Sequence, residues 1–460
     1  MNSIDQLKGM APYQRNRIFA FIGIGFFVFL VILGFIFTGS QTIQNNNVVI
    51  EFWDPLDNAI AYNEITTLYS KINEGTFVYR VPKDPETYRQ ELTDALAAGE
   101  GPDIYLIKNT WLPMEERRLV EMNNHLPEIP NSEEGILVSP AEVISRFPDV
   151  VRFDLTREDS AGTPKIYGLP IYLDTLALYY NEDYFNTHTI LEPPSTWDRF
   201  TEISKRVRRV NDDNVELAGA ALGTAENVEH SVDILNTIMM QAGTKMNDEG
   251  GFVVFDNPVQ AENSQFYPAR DAFQFYTSFS NPNSENYTWN SEESNSIEGF
   301  SEGTTAMMIG YASDRDKIKE ENEHLNYSIA PLPQPANIEK PVNYANYWAA
   351  VVSEQSEKKD IAWDFIYFLT SEDSARIYTE NTGYPPALKS LIEEEQTKEV
   401  SDISIFAQQA ISARSWLQPN AIEVEKLFNN SIKSVISGES SIPEALSEVA
   451  DRINLLWRNF

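Results

Sequence analysis

Residues 18–37 form the longest apolar stretch of the chain, twenty apolar or glycine residues without a charge or a proline. At about 1.5 Å per residue, a helix of this length matches the hydrocarbon core of a bilayer, which is about 30 Å thick. Lys8, Arg15 and Arg17 precede the stretch, and the 20 residues after it contain no lysine or arginine. Because basic residues mark the cytoplasmic side, we expect one transmembrane helix, with residues 1–17 in the cytoplasm and the remainder extracellular.

A cleavable signal peptide is the alternative interpretation of this stretch. Thr38 and Ser40 are small residues with the spacing of a cleavage site. The apolar core of a signal peptide is, however, usually only about 7 to 15 residues long. The mostly polar residues 38–47 are predicted to be a tether between the membrane helix and a folded body that begins at residue 48.

In the first part of that body, short apolar segments alternate with segments whose apolar residues have helical spacing. Residues 48–53, 77–81 and 103–107 have the apolar, β-branched and aromatic composition of strands. Between them, residues 59–72 and 85–98 carry apolar side chains at helical spacing. Strands that alternate with helices predict an α/β sheet rather than a sandwich or a helical bundle.

The same kinds of element continue to the end of the chain. Strands are predicted at residues 166–171, 175–180, 304–309 and 347–352. Residues 330–335 are too rich in proline for a helix or a central strand, so they are predicted to be a segment that crosses between domains. From Ile422 onward, two amphipathic helices separated at Gly438 close the chain.

Composition narrows the possible partners and cofactors. The chain has 35 Lys and Arg against 69 Asp and Glu, a net charge of -34, which repels phosphate backbones. Nucleic acid is therefore not expected as a partner. The chain has no cysteine and only four scattered histidines, which excludes a disulfide framework and a thiolate metal site. We expect no metal and no cofactor.

Several separated segments resemble, in order, the extracellular solute-binding proteins that include maltose-binding protein and deliver sugars to ABC importers. The resemblance covers the chain from about residue 48 to its end. It is carried by Val49-Ile-Glu-Phe-Trp-Asp54, Gly101-Pro-Asp-Ile-Tyr105, Tyr167-Gly-Leu-Pro-Ile171, Asp174-Thr-Leu-Ala-Leu-Tyr-Tyr-Asn-Glu-Asp-Tyr-Phe185, Pro194-Ser-Thr-Trp-Asp198, Gly303-Thr-Thr-Ala-Met-Met-Ile-Gly310, Ala362-Trp-Asp-Phe-Ile-Tyr-Phe-Leu-Thr-Ser371 and Thr382-Gly-Tyr-Pro-Pro386.

The resemblance implies the two-lobed periplasmic-binding-protein-like fold of type II, an α/β fold whose lobes are joined by a hinge. Crossings between the lobes are expected near residues 160–165, 330–334 and 381–385. The expected division assigns residues 48–160 and 334–381 to lobe 1, and residues 165–330 and 385–460 to lobe 2.

Two features depart from the family's usual pattern. Members are usually free or held by a lipidated cysteine, whereas this chain has no cysteine and carries the apolar stretch of residues 18–37. Maltose-specific members place stacking aromatics before the penultimate helix, where this chain has residues 423–426, Glu-Val-Glu-Lys, and only Trp416 nearby. The second departure makes maltose itself an unexpected ligand.

Most candidate ligand-binding residues follow from the rule that open α/β sheets bind ligands beyond the carboxyl ends of their strands. Thr224 and Asn227 are added because they lie in a loop before a helix, Tyr347 because it follows the proline-rich crossing, and Trp416 because it lies near the position of the family's stacking aromatics. Carboxylates can accept bonds from sugar hydroxyls, and flat rings can cover the C–H faces of a sugar. The candidates are Trp53, Asp54, Lys108, Asn109, Trp111, Tyr172, Asp174, Thr224, Asn227, Tyr311, Asp314, Tyr347, Trp348 and Trp416.

Asp174 illustrates the alternatives that remain open at each of these positions. It lies in a strand that looks buried, where an unpaired carboxylate costs about 1 to 3 kcal/mol or more. Its partner is therefore either the ligand or a backbone amide at the hinge. Trp53 and Trp348 likewise contact either a ligand or the core.

The sequence favours capture of a solute without chemistry, because no nucleophile, base and orienting residue occur together. A carbohydrate is expected as the small-molecule ligand, with ABC importer permease subunits as protein partners. A tethered carbohydrate-interaction or sensory domain without transport is one alternative. A glycoside hydrolase that uses Asp54 and Asp174 is the other, since such enzymes place two carboxylates roughly 5 to 10 Å apart.

Overall fold

The structure is a computed structural model that describes residues 47–56, 59–125, 137–211, 214–261, 264–336, 338–398 and 401–458. The chain separates into two units, Met1–Asn47 and Val48–Phe460, and the second is the folded body. The predicted cytoplasmic segment, membrane helix and all but the last residue of the tether lie outside the described residues. Within the described ranges, no helix is long and apolar enough to cross a bilayer.

Helices and strands of the body are numbered here in chain order. The strands are β1 Val48–Asp54, β2 Thr76–Pro82, β3 Ile104–Lys108, β4 Thr156–Glu158, β5 Pro164–Ile166, β6 Gly168–Pro170, β7 Asp174–Thr175, β8 Ala177–Asn181, β9 Arg209–Asn211, β10 Asn214–Leu217, β11 Val259–Ala261, β12 Ser264–Phe266, β13 Met307–Gly310, β14 Tyr327–Pro331, β15 Asn343–Asn346, β16 Trp348–Val352 and β17 Ala413–Arg414.

The α-helices are α1 Ala59–Ile72, α2 Tyr88–Ala98, α3 Leu112–Glu115, α4 Pro140–Ser145, α5 Asp149–Leu155, α6 Glu182–Thr187, α7 Trp197–Val207, α8 Ser231–Gln241, α9 Pro268–Ser278, α10 Ser296–Ser301, α11 Asp314–Glu321, α12 Lys359–Leu369, α13 Glu372–Thr382, α14 Lys389–Thr397, α15 Asp402–Ala410, α16 Ala421–Ile436 and α17 Ile442–Arg458. Short 3₁₀ turns occupy Asn109–Trp111, Glu116–Arg118 and Met122–Asn124.

The first large sheet has the strand order β2-β1-β3-β16-β6 and is covered on both faces. β1 runs parallel to β2 and β3, whereas β16 runs antiparallel to β3 and β6. Successive side chains of a strand point to opposite faces, so Phe52 enters one core and Trp53 the other. We call the part of the body built on this sheet the first lobe.

A second core surrounds the three-stranded antiparallel sheet β13-β8-β14. Helices α7, α8, α9, α16 and α17 contribute buried side chains to it, among them Phe200, Leu235, Phe273, Phe428 and Ile453. The two closing helices predicted from the apolar spacing after Ile422 are α16 and α17. We call the part of the body built on this core the second lobe.

Three short strands carry the chain between the lobes and pair with one another. β15 lies between β7, to which it is antiparallel, and β17, to which it is parallel. The register joins Thr175 to Ala345 and Tyr344 to Arg414. All three passages of the chain therefore occur side by side in one small sheet, which we call the crossing sheet.

The crossing sheet moves the expected lobe boundaries. β6 pairs with β16, so residues 164–173 stay with the first lobe and the first passage lies at β7 rather than at residues 160–165. Gln334 pairs with Thr196 of the second lobe, so the second passage lies at β15 rather than at residues 330–334. α14 packs in the first core, so the third passage lies at β17 rather than at residues 381–385. Sheet pairing, which proline density does not reveal, decides these positions.

Asp174 fixes the crossing sheet to the second lobe. Its buried carboxylate accepts hydrogen bonds from the backbone N–H groups of Thr175, Ala312 and Ser313, at 2.8, 2.9 and 3.2 Å. Burial raises the pKa of Asp174 to about 7, although these backbone donors oppose the shift. Of the two partners left open by the sequence, backbone amides at the crossing are the ones that Asp174 contacts.

Asp174→Ala is expected to destabilise the body, because it leaves buried N–H donors without an acceptor. Each such donor costs about 1 to 3 kcal/mol, so losing the acceptor of three donors should lower the free energy of unfolding by about 3 kcal/mol or more in urea denaturation. Asp174→Asn keeps one acceptor, so its free energy of unfolding should lie between those of Asp174→Ala and the wild type. Asp316→Ala, on the exposed face of α11, is the matched control. Equal stability of Asp174→Ala and its control would show that these bonds contribute nothing.

Candidate functional site

A cavity of about 560 Å³ lies between the two lobes at the crossing sheet. Residues 108–111 line it from the first lobe, residues 344–346 from β15, and parts of residues 225–236 and 418–429 from the second lobe. We call this cavity the cleft. Three larger cavities, of about 1110, 760 and 570 Å³, do not include the crossing sheet. The cleft alone among these four has walls from both lobes and from the crossing sheet.

The first-lobe wall is formed where β3 ends. Trp111, in the turn after β3, is 7% exposed and meets Trp348 edge to face, with 5.4 Å between ring centroids. The Arg89 guanidinium lies 5.0 Å from the Trp111 ring centroid, and the Lys108 ammonium lies 5.9 Å from that of Trp348. These contacts form a rigid aromatic wall beside Lys108.

Asp154 on α5 holds this wall from behind. Its Oδ2 accepts hydrogen bonds from Asn109 Nδ2 at 2.9 Å and from the Tyr347 hydroxyl at 2.8 Å. Its Oδ1 accepts a hydrogen bond from Ser415 Oγ, just beyond β17. Burial raises the pKa of Asp154 to about 6. One buried carboxyl group thus ties the cleft residue Asn109 to the third passage of the chain.

The second-lobe wall begins at the start of α8. His230 has a positive φ of 59° and its Nε2 lies 2.8 Å from Asp314 Oδ2. Burial alone would lower the pKa of His230, but the Asp314 carboxylate outweighs burial and raises it. Asp314 Oδ2 also accepts the Tyr311 backbone N–H at 2.8 Å, and the Tyr311 hydroxyl donates to Asp233 Oδ2 at 2.7 Å. These bonds fix the first turn of α8 beside the cleft.

Asn236 is a buried amide without a hydrogen-bond partner among the described residues. It lies on α8, is 1% exposed, lines the cleft, and neither its Nδ2 nor its Oδ1 is bonded. An unsatisfied buried polar group costs about 1 to 3 kcal/mol. Such a group beside a cavity indicates a position where a bound molecule supplies the missing bonds.

Three of the residues proposed from the sequence line the cleft, and four support its walls. Lys108, Asn109 and Trp111 line it. The supporting residues are Tyr311, Asp314, Tyr347 and Trp348, which hold α8, Asp154 or Trp111 through the contacts given above.

The remaining candidates contact protein groups outside the cleft. Asp54 is fully buried and accepts a hydrogen bond from Arg80 Nε at 2.7 Å. Trp53 donates to Glu51 Oε1 at 2.6 Å. Tyr172 is stacked on Tyr378 with 6.0 Å between centroids. Arg80 and Tyr378 lie on other elements, so the sequence could not show them as partners, whereas Glu51 lies on the same strand as Trp53.

The other four candidates that lie away from the cleft belong to the second lobe or to the crossing sheet. Trp416 packs against Phe255 and Phe428 in the second core. Thr224 and Asn227 hydrogen-bond to each other and hold the loop around residues 290–293, although Ala225 and Glu226 of the same segment do line the cleft. Asp174 is held by the three amides already described.

Several cleft residues were not among the sequence candidates. They are Glu229, His230, Asp233, Asn236, Tyr344, Gln418, Glu425 and Asn429. Asn236 has a recognisable signal, since it is an amide within the apolar positions of α8. The others come from helix starts and loops whose approach to the cleft depends on packing of the two lobes.

Comparison with known proteins identifies the family and the shared fold. The family model described as bacterial extracellular solute-binding protein matches residues 65–405 of this chain. The protein therefore belongs to the bacterial extracellular solute-binding protein family. The two similar proteins given next are binding proteins.

Two curated relatives illustrate the breadth of the family. A binding protein of Brucella abortus (strain 2308) is 23% identical over 372 residues, which cover 80% of this chain and 83% of the relative. The sn-glycerol-3-phosphate-binding periplasmic protein of Pectobacterium atrosepticum is 22% identical over 443 residues, covering 89% of this chain and 91% of the relative.

Solved structures share the fold at low sequence identity. The cyclic alpha-maltosyl-1,6-maltose binding protein of Arthrobacter globiformis has a TM-score of 0.71 at 18% identity, covering 90% of this chain and 100% of that protein. An ABC transporter solute-binding protein of Thermotoga lettingae bound with alpha-D-tagatose has a TM-score of 0.67 at 21% identity, covering 89% and 99%.

The raised pKa of Asp154 predicts a pH dependence of stability. The native state holds this proton up to about pH 6, whereas an unfolded aspartate releases it near pH 3.9. The native state therefore binds more protons between these values, and the free energy of unfolding should fall by about 1.4 kcal/mol per pH unit from this group as pH rises.

Urea denaturation between pH 4 and pH 6.5 measures this slope. Asp154→Asn should remove the Asp154 contribution, making its slope more positive than that of the wild type. Asp149→Asn, at the exposed start of the same helix, should keep the wild-type slope. Parallel curves for the wild type and Asp154→Asn would contradict the assignment.

Proposed function

We propose that this protein captures a sugar or oligosaccharide in the cleft and delivers it to an ABC importer. The observation that carries the proposal is the cleft itself, which both lobes and the crossing sheet line and which contains the unpartnered amide of Asn236. Trp111 offers a ring, and neighbouring carboxylates and amides offer hydrogen-bonding groups. These are the two kinds of group that a sugar requires, for its C–H faces and for its hydroxyls.

Binding in such a site is expected to favour closure of the lobes. A solute that contacts Trp111 from the first lobe and Asn236 from the second stabilises the arrangement in which both are near it. The crossing sheet is the proposed hinge, because it holds all three passages between the lobes. We propose that the permease subunits of the importer bind the closed form.

The relatives support a binding role over catalysis. The two carboxylates considered for a glycoside hydrolase are engaged elsewhere, Asp54 with Arg80 and Asp174 with backbone amides. Neither lines the cleft. A hydrolase that used this pair would need both carboxylates beside the scissile bond. A tethered domain that binds sugar without transport would share the cleft and differ only in lacking an importer.

We further propose that residues 18–37 anchor the protein in the cell membrane, with the body outside. The length of the apolar stretch and the basic residues before it support this orientation. Without a cysteine, the chain has no site for lipid attachment through a thioether. The anchored form would keep the solute-binding body close to a permease in the same membrane.

Membrane retention tests the anchor. Expressed in a bacterial host, the full chain should remain in the membrane fraction after a carbonate wash, whereas a variant lacking residues 1–37 should be released. Mass spectrometry of the retained protein should show the uncleaved N-terminus. A released protein that begins after residue 37 would instead establish the signal-peptide interpretation.

Asn236→Leu tests the cleft. Replacing the unpartnered amide by an apolar side chain of similar size should raise the free energy of unfolding by about 1 kcal/mol in the absence of sugar. The same substitution should weaken sugar binding about tenfold or more, which corresponds to about 1.4 kcal/mol. Opposite effects on stability and affinity distinguish a ligand-binding residue from a structural one.

Isothermal titration calorimetry of the purified full-length protein against a panel of mono- and oligosaccharides measures the affinity. Chromatography of the recovered ligand should show it unchanged. Asn381→Leu, on the exposed side of α13, is the control and should leave affinity unaltered. Absence of binding to every saccharide, or turnover of one, would contradict the proposed function.

A further inference from the structure

The ionisable side chains of the cleft are mostly acidic. Six of them line it, namely Glu226, Glu229, Asp233, Glu425, Lys108 and His230. Three of the six have ion-pair partners that do not line the cleft. Their charges are therefore balanced without a ligand, and the remaining three decide what charge the cleft presents.

The balanced groups lie on the second lobe. Glu226 pairs with Lys433 on α16. Glu229 lies 3.4 Å from Lys317 Nζ, and His230 lies 2.8 Å from Asp314. No ion pair is formed by Asp233, Glu425 or Lys108 with another described residue. Two carboxylates thus face one ammonium group, which leaves an excess of one negative charge.

Asp233 and Glu425 lie close enough to affect each other. α8 and α16, which carry them, are packed together, and Ser231 Oγ on α8 donates to Asn429 Oδ1 on α16 at 3.1 Å. Burial raises the pKa of Glu425, and the neighbouring charge of Asp233 raises it further, whereas Lys108 across the cleft acts in the opposite direction. The two carboxylates therefore form one electrostatic site rather than two isolated charges.

Asn236 supplies an independent sign that this wall binds a molecule. It follows Asp233 by three residues on α8, so the two side chains lie on the same face of the helix. Its amide is 1% exposed, has no partner among the described residues and lines the same cavity. The wall therefore combines an amide that has no partner for its oxygen or its nitrogen with two carboxylates that form no ion pair among the described residues.

A protonated amine suits the carboxylates and the amide oxygen, and a neighbouring hydroxyl oxygen of the same solute can accept from Asn236 Nδ2. The amine carries three N–H donors and one positive charge, so it can bond an amide oxygen and carboxylates at once. An anionic solute such as a sugar phosphate would be repelled. A divalent metal is not indicated, since the described residues contain no group of three or more His, Asp or Glu placed to hold one.

We propose, on the basis of the proposed function, that the solute is an amino sugar whose ammonium group is bound by Asp233, Glu425 and Asn236. The remainder of the sugar lies toward Trp111 and Asn109 on the first lobe. The amine then reaches the second lobe and the ring reaches the first. The contacts that select a cationic sugar on the second lobe are therefore also contacts that favour closure of the lobes around it.

Matched pairs of sugars test the proposal, because each pair differs only in an amine or a hydroxyl at carbon 2. The probes are glucosamine with glucose, galactosamine with galactose, and mannosamine with mannose, titrated calorimetrically into the full-length protein at pH 6.5. For at least one pair, the amine should bind at least tenfold more tightly than its hydroxyl partner. Raising the salt concentration from 0.05 to 0.5 M should reduce that advantage, since salt screens charge interactions.

Substitutions in the cleft test which residues cause the preference for the amine. Glu425→Gln and Asp233→Asn should each reduce the ratio of amine affinity to hydroxyl affinity within a sugar pair to less than threefold. Glu423→Gln, on the same helix but paired with Lys426 outside the cleft, should keep the full advantage. Circular dichroism melting of each variant checks that it is folded.

The outcomes separate this inference from the proposed function. Binding of neutral sugars as tightly as their amines would overturn the inference and leave sugar capture intact. An amine advantage that survives both cleft variants would also overturn it. Absence of binding to all six probes and to the wider saccharide panel would overturn the proposed function as well.

Discussion

The pairing of three short strands in the crossing sheet is the constraint on which the cleft depends. Backbone hydrogen bonds hold β7, β15 and β17 side by side, so the chain passes between the lobes at one place only in the described body. Gln409 strengthens this place by bonding Thr175 Oγ1 and the Leu176 carbonyl at 3.1 Å each. Because the passages are adjacent, the lobes can rotate about them without breaking either core.

Buried polar groups border the crossing sheet and the cleft. Asp154 and Asp174 are buried carboxyl groups with raised pKa values that lie behind the cleft wall and in the crossing sheet. Asn236 lines the cleft and lacks a partner among the described residues. Buried polar atoms without a partner also occur in the two cores of the described body, so it is the position of Asn236 beside the cavity that gives its amide functional meaning.

Local pattern predicted the elements well and their assembly less well. The helix expected at residues 59–72 is α1, and the strand expected at 103–107 is β3 shifted by one residue. Of the residues selected by the strand-end rule, Lys108, Asn109 and Trp111 line the cleft. The rule also selected Asp54 and Asp174, whose partners lie 26 and 138 residues away in sequence. Such long-range partners, and the pairing that sets the lobe boundaries, depend on tertiary packing that periodicity does not encode.

A distance measurement across the cleft tests the central claim, that a solute is held by both lobes at once, most directly. The chain has no cysteine, so Asp94→Cys on α2 and Lys426→Cys on α16 allow specific spin labelling of the two lobes. Pulsed electron double resonance should show a shorter and narrower distance distribution when the bound sugar saturates the protein. Identical distributions with and without a sugar that calorimetry shows to be bound would contradict the account.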